Sequence, residues 1–370
     1  MKITTPTLLL DKKKALNNIQ RMVEKAKNSG VRLRPHFKTH QSAQVGEWFR
    51  DFGVDAITVS SVRMARYFAD HGWQDILVAF PANILEMESI NELSGKINLH
   101  LVVVNLETVE ALAEQVKHPI RVWIKVDTGY RRTGVLPHAH HEFDNILQTI
   151  SDSELLAFEG FLAHDGHTYK QTDKDAIQTI HNTSVYLLHL LRDRYKQKFP
   201  ELKLSLGDTP SCSILDDLSG VDEIRPGNFV FYDLTQQRIG ACAYEDIAVC
   251  VVCPVVAKHP DRNEIILYGG SVHFSKDLLL QEDGSASFGR IVTLTDNGWS
   301  EPQEGIELIS LSQEHGIVQA SPELFEKYKI GDLMGVLPVH SCLTADLMKG
   351  YLTTDGEYLE HMSGVVQQHV

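Results

Sequence analysis

The chain has 370 residues, 43% hydrophobic and 23% charged, a makeup that excludes a disordered protein and allows one large domain plus a smaller one. Its formal net charge of -14 argues against nucleic acid or an anionic surface as partner. No run approaches the roughly 18 apolar residues of a membrane span, Met1 to Asp11 lacks the pattern of a signal peptide, and five cysteines suit a reducing compartment better than a disulfide framework, so a cytoplasmic enzyme is expected.

The chain opens with a short apolar run at 5–10, followed by Asp11, which is placed to cap a helix over 15–27. Leu16, Ile19, Val23 and Ala26 share one face of that helix, and Gly30 ends it. In the next stretch Val31, Leu33, Pro35 and Phe37 alternate with Arg32, Arg34, His36 and Lys38. With a strand's period of two, four basic residues project from one face and four apolar ones from the other. If helices cover the apolar face, the basic face points into whatever the sheet encloses; the alternative is a solvated basic edge strand. Lys38 then lies where strand gives way to loop, and a lysine in such a place can act as a Schiff-base nucleophile when burial and neighbouring positive charge lower its pKa.

From there strands and helices alternate. Strands are expected at 31–37, 56–60, 75–80, 99–104, 120–127, 156–163, 202–206 and 222–225, with helices at 44–51, 62–69, 84–93, 108–116, 140–151 and 175–198. Eight strands joined by helix-length crossovers pair in parallel, and their number favours a closed (β/α)8 TIM-type barrel over an open doubly wound sheet. No Gly-x-Gly-x-x-Gly follows an early strand, which counts against a dinucleotide fold. Near residue 240 the texture changes to short β-branched runs at 248–256, 264–269, 290–295, 307–312 and 316–320, with little helical periodicity. Glu282-Asp283-Gly284 and Asp296-Asn297-Gly298 read as turns. The expected division is an α/β barrel over 11–241 and a smaller, mostly antiparallel β domain over 242–370, joined by 1–10.

Chemistry in such a barrel gathers at the C-terminal ends of the strands. Gly207-Asp208-Thr209-Pro210-Ser211 and Arg225-Pro226-Gly227-Asn228 follow the seventh and eighth strands, where hydroxyls and glycine turns suit a phosphate. In Pro338-Val339-His340-Ser341-Cys342, an extended segment puts His340 and Cys342 on one face, an imidazole and thiolate set suited to Zn²⁺ with positions left open. Cys250 and Cys253 lie in an apolar run and read as core packing.

Taken in order, Thr5-Pro6-Thr7-Leu8, Arg34 to His40, Gly207 to Ser211, Arg225 to Asn228 and His340-Ser341-Cys342 form a set in which the chain resembles the D-serine dehydratase and D-threonine aldolase group of pyridoxal-phosphate enzymes. That group has the alanine-racemase fold, and the resemblance covers nearly the whole chain. It implies Lys38 as the lysine that holds the cofactor, Tyr169 as a neutral partner near the pyridine nitrogen, and Thr209, Gly227 and Asn228 as phosphate contacts. It implies His340 and Cys342 as ligands of Zn²⁺ or another divalent metal; the aldolases place an aspartate where Cys342 stands. The implied activity is β-elimination of a β-hydroxy-D-amino acid such as D-serine to a 2-keto acid and ammonia, by a homodimer whose partner chain helps close the site. Aldol cleavage and racemisation on the same fold are the rivals. A non-catalytic pyridoxal-phosphate carrier is disfavoured by the β domain. Asp208 and His167 depart from the group's pattern, and a carboxylate beside a phosphate is unfavourable unless it is engaged elsewhere.

Overall fold

The computed structural model describes residues 3–281 and 283–362 and divides into two compact units. Gln20–Lys38 and Gly46–Gly227 form one; Met1–Ile19, Thr39–Val45 and Asn228–Val370 form the other. Glu282 of the expected turn and the ends of the expected β domain, 1–2 and 363–370, lie outside the described residues.

The first unit is built on eight parallel strands. Their order across the sheet is Arg32–Leu33, Glu223–Ile224, Lys203–Leu206, Leu156–Leu162, Ile120–Lys125, Asn98–Val103, Asp75–Pro81 and Ile57–Val59. A parallel bridge between His36 and Thr58 joins the first of these to the last. The Phe37 N–H donates to the Thr58 carbonyl at 2.8 Å and the Thr58 N–H to the Pro35 carbonyl at 2.9 Å, so the sheet closes and keeps no open edge. All eight expected strands are present, and helices such as Val62–Asp70, Leu106–Gln115 and Lys174–Tyr195 lie between them. Side chains of Ser61, Asn105 and Asp173 cap these three by accepting from Met64, Thr108 and Ala176 N–H groups.

The alternation at 31–38 resolves as expected from a covered strand. Leu33 and Phe37 are buried on one side, and Arg34, only 1% exposed, is buried on the other. Its guanidinium bonds Glu223 at 2.9 Å and Asp75 at 2.6 Å. Asp75 also meets His100 at 3.0 Å, and His100 accepts from the Trp123 indole at 3.1 Å. Burial alone would raise the Asp75 carboxyl, but His100 and Arg34 hold it well below the carboxylate range. A solvated edge strand is excluded by this network. Its worth lies in orienting buried groups, since a buried pair gains little over apolar packing.

The second unit contains a nine-stranded sheet in the order Glu264–Tyr268, His315–Ala320, Gly298–Leu311, Gly289–Thr295, Leu333–Pro338, Val249–His259, Thr7–Leu10, Gly350–Thr353 and Tyr358–Glu360. Thr7–Leu10 runs parallel to Gly350–Thr353, while the other neighbours pair antiparallel. Glu264–Tyr268 also pairs with Val249–His259, so six strands close into a ring. Asp296 and Asn297 form the expected two-residue turn, with Thr295 opposite Gly298. Cys250 and Cys253 are fully buried in the core. Short helices at Ser271–Phe274, Pro322–Lys327 and Ser341–Met348 depart from the expectation of little helix. The segment after Lys38 belongs to this unit: the Tyr351 hydroxyl donates to the His40 carbonyl at 2.5 Å, and the Gln41 amide to Asp346 at 3.0 Å.

Candidate active site

The barrel mouth is rich in cations. Lys38 stands exposed after the first barrel strand, and Lys125 ends the strand Ile120–Lys125 at 5% exposure. Burial first, then the charges of Arg132 and Arg225, bring Lys125 down to about 8. Burial brings Arg225 to about 10. The imidazoles of His36 and His164 are pushed well below their ordinary value by desolvation, with Lys38 adding to each, so both are neutral at neutral pH. In a protein of net charge -14 this cluster of cations has the charge to suit an anion. The sequence assigned His36, His164 and Arg132 no individual role; His36 was marked only by its place on the basic face of the first strand, and the other two by position after strand ends.

The turn after the seventh strand in sequence carries the expected phosphate residues. Gly207 is required there, because a Cβ would lie 2.4 Å from the Arg225 backbone nitrogen. Asp208 then caps the short helix Thr209–Ile214 by accepting from the Ser211 N–H at 2.8 Å. It also accepts from Thr168 and is 2% exposed, so the departure noted in sequence is a buried, engaged carboxylate. The Thr209 and Ser211 hydroxyls are fully buried and have no partner among the described residues. The Thr209 N–H donates to the Tyr169 phenol at 3.3 Å, which brings two expected site residues together. His167, the other departure, stacks on Tyr130 with ring centroids 6.1 Å apart. An orphaned hydroxyl in a cation-rich mouth fits a phosphate-bearing cofactor.

His340 and Cys342 sit in the second unit. The extended segment expected to align them ends at Pro338; His340 is instead the N-cap of the helix Ser341–Met348, and Cys342 lies in its first turn. A cap residue followed by a helical turn, not strand alternation, presents the two donors. Asp277 accepts from His340 Nδ1 at 2.9 Å, leaving Nε2 as the nitrogen for a metal. Burial opposes the imidazolium, yet Asp277 and Cys342 favour it and raise His340 to about 11. Thr39 Oγ1 lies 3.3 Å from Cys342 Sγ, and the Asn228 amide donates to the sulfur at 3.5 Å. The same amide bonds Asp233 and Ser341, so any phosphate contact by Asn228 falls to its backbone N–H. Among the described residues no group of three or more His, Cys, Asp or Glu side chains encloses a metal. Imidazole and thiol with open positions nevertheless form a donor set suited to a catalytic zinc. Asp277, 63 residues away, was invisible to motif reading. Asp277→Asn is expected to weaken metal binding by about 10–100-fold, read by competition with a chromogenic chelator.

A lysine-bearing parallel barrel followed by an antiparallel β unit defines an alanine racemase-like protein. The alanine racemase N-terminal domain family matches residues 10–234, and a serine dehydratase domain matches 248–354. A D-serine dehydratase of Dictyostelium discoideum is 31% identical over 94% of this chain and 93% of its own length. The solved D-threo-3-hydroxyaspartate dehydratase from Delftia sp. HT23 superposes with a TM-score of 0.91 at 29% identity, covering 98% of this chain and 99% of that one. A D-threonine aldolase from Filomicrobium marinum, 20% identical over 97% of this chain and 95% of that one, shares the fold with a TM-score of 0.79. The chain belongs to the D-serine dehydratase and D-threonine aldolase family of pyridoxal-phosphate enzymes.

Proposed function

We propose that this chain eliminates water from a β-hydroxy-D-amino acid, D-serine first among them, to give a 2-keto acid and ammonia. The observation that carries elimination over carbon–carbon cleavage is the Cys342 thiol beside His340, where the aldolases have a carboxylate. Relatives of about 30% identity that are named dehydratases support the same choice. Pyridoxal phosphate, when bound, supplies a conjugated ring that spreads the charge left at the substrate Cα. Zinc, or another divalent ion, supplies a Lewis acid for the departing hydroxyl. Lys38 Nζ is assigned to hold the cofactor and to take the proton from Cα. The Thr209 hydroxyl and the backbone N–H groups of Gly227 and Asn228 are assigned to the phosphate, and Tyr169 to the neighbourhood of the ring nitrogen as a neutral partner. His340 Nε2 and Cys342 Sγ are assigned to the metal, and Arg132 and Lys125 suit the substrate carboxylate. Residues 11–241 form the cofactor barrel in this reading, and 242–370 with 1–10 the metal-bearing β domain.

Offering D-serine, D-threonine and 3-hydroxy-D-aspartate and quantifying keto acid, aldehyde and L-isomer tests the reading. Keto acid with ammonia supports elimination; aldehyde with glycine, or the L-isomer, gives the site to a rival. No helix among the described residues is long and apolar enough to cross a membrane, and the cytoplasm is the proposed compartment. The active form is proposed to be a homodimer. Phe80 in the barrel strand Asp75–Pro81 and Leu85 in the turn after it, 60% and 90% exposed, are apolar surface that a partner would cover. Light scattering should give twice the chain mass, and a fully active monomer would contradict it.

A further inference from the structure

Asp165 and Asp208 are buried in the barrel unit, 0% and 2% exposed, and among the described residues neither is in an ion pair. Asp165 Oδ1 accepts from Thr128 at 3.2 Å and from Ser184 at 2.5 Å, while Asp208 Oδ1 accepts from the Ser211 N–H. The Oδ2 atom of each has no hydrogen-bond partner among the described residues. Two ionised carboxylates would each leave an oxygen desolvated and unbonded, a costly arrangement.

Thr168 adds an independent constraint. Its hydroxyl oxygen lies 2.7 Å from the Asp165 carbonyl and 2.8 Å from Asp208 Oδ1. A hydroxyl has one hydrogen, and neither a carbonyl nor an ionised carboxylate donates. With Asp208 ionised, one of these short contacts has no hydrogen in it. A proton on Asp208 Oδ1 removes the conflict: Asp208 donates to Thr168, and Thr168 donates to the Asp165 carbonyl.

We propose that Asp165 and Asp208 share one proton at neutral pH, so that the turn carrying Thr209 is backed by one negative charge and not two. Burial and then the charge of Asp208 raise Asp165; burial also raises Asp208, against its bonds from Ser211 and Thr168. The charged and titratable groups facing the pair are few. Arg225, after the strand Glu223–Ile224, favours ionisation of both, but its terminal nitrogens are committed to Ser205 and the Ala163 carbonyl. Cys212 on the capped helix is held neutral by burial, and Lys25 bonds the Ser213 carbonyl at 2.6 Å. His181, on the helix that supplies Ser184, is also kept neutral by burial. The consequence for the cofactor rests on Thr209 as a phosphate contact: loss of the shared proton at alkaline pH places a second charge behind that turn and weakens phosphate binding about tenfold or more.

Infrared difference spectra of the holoenzyme across pH test the proton itself. The carbonyl band of a protonated buried carboxyl is expected at neutral pH, lost on alkalinisation, and absent at neutral pH from Asp208→Asn, whereas Asp165→Asn, which keeps the main-chain carbonyl that Thr168 contacts, should retain it. In Asp208→Asn the amide replaces the protonated acid as donor to Thr168 and Asp165 ionises, so the variant should stay folded. Pyridoxal-phosphate affinity of the apoenzyme should fall at alkaline pH, and Asp208→Asn should flatten that fall. A missing band in the parent protein, a band that survives in Asp208→Asn, or stability that rises with sodium or potassium without a band overturns the shared proton. A normal band with an affinity insensitive to pH overturns the link to phosphate, and Thr209→Val with unchanged affinity assigns that failure to the phosphate reading.

Discussion

Lys38→Ala should lower turnover by about four orders of magnitude and abolish borohydride trapping of the cofactor. The size of the effect follows from the two roles proposed for one nitrogen, holding the cofactor and taking the Cα proton. Lys38 is exposed at the mouth, and its charge bears on His36, His164 and Lys125. Non-covalent binding of pyridoxal phosphate should survive in the variant, because Thr209 and the cationic mouth remain. Lys125 is the alternative carrier, buried and brought down to about 8. Mass spectrometry after reduction decides: cofactor mass retained on Lys38→Ala protein would move the role to Lys125.

Cys342→Ala should reduce elimination by about a thousandfold, the scale of several kcal/mol of Lewis-acid assistance. The fold and the cofactor spectrum should be unchanged, because Cys342 packs at a helix start in the β unit and the neighbouring Asn228 amide also bonds Asp233 and Ser341. Exchange of the substrate Cα hydrogen in deuterium oxide should continue slowly, since Lys38 is untouched. Cys342→Asp should keep part of the metal and shift the products towards carbon–carbon cleavage. Collapse of the β unit on metal removal would instead make the site structural, a role that normally takes four protein ligands.

The barrel was legible because parallel strands covered on both faces read as apolar runs at regular spacing. The first strand is shorter than its alternation suggested. Only Arg32–Leu33 pairs continuously, and beyond Pro35, which has no N–H to donate, the ladder continues through a bridge at His36. The strand alternation that singled out His340 and Cys342 does not hold, since the strand ends at Pro338. The helix they begin buries Ser341, Thr344 and Ala345, small or polar residues that carry no apolar stripe to read. Asp277 and Thr39 reach this pair from 63 and 303 residues away, distances that no local pattern encodes. Asp208 stood out in sequence as an anomaly, and the fold explains it as a helix cap with a carboxylate neighbour.

The central claim is metal-assisted elimination on a cofactor held by Lys38. Its most direct test is keto-acid and ammonia release from D-serine by the holoenzyme, before chelation, after chelation, and after zinc is returned. The account predicts the two products in equal amounts, their loss on chelation while cofactor absorbance and melting temperature persist, and their recovery with zinc. Metal-free enzyme that eliminates at full rate would contradict it.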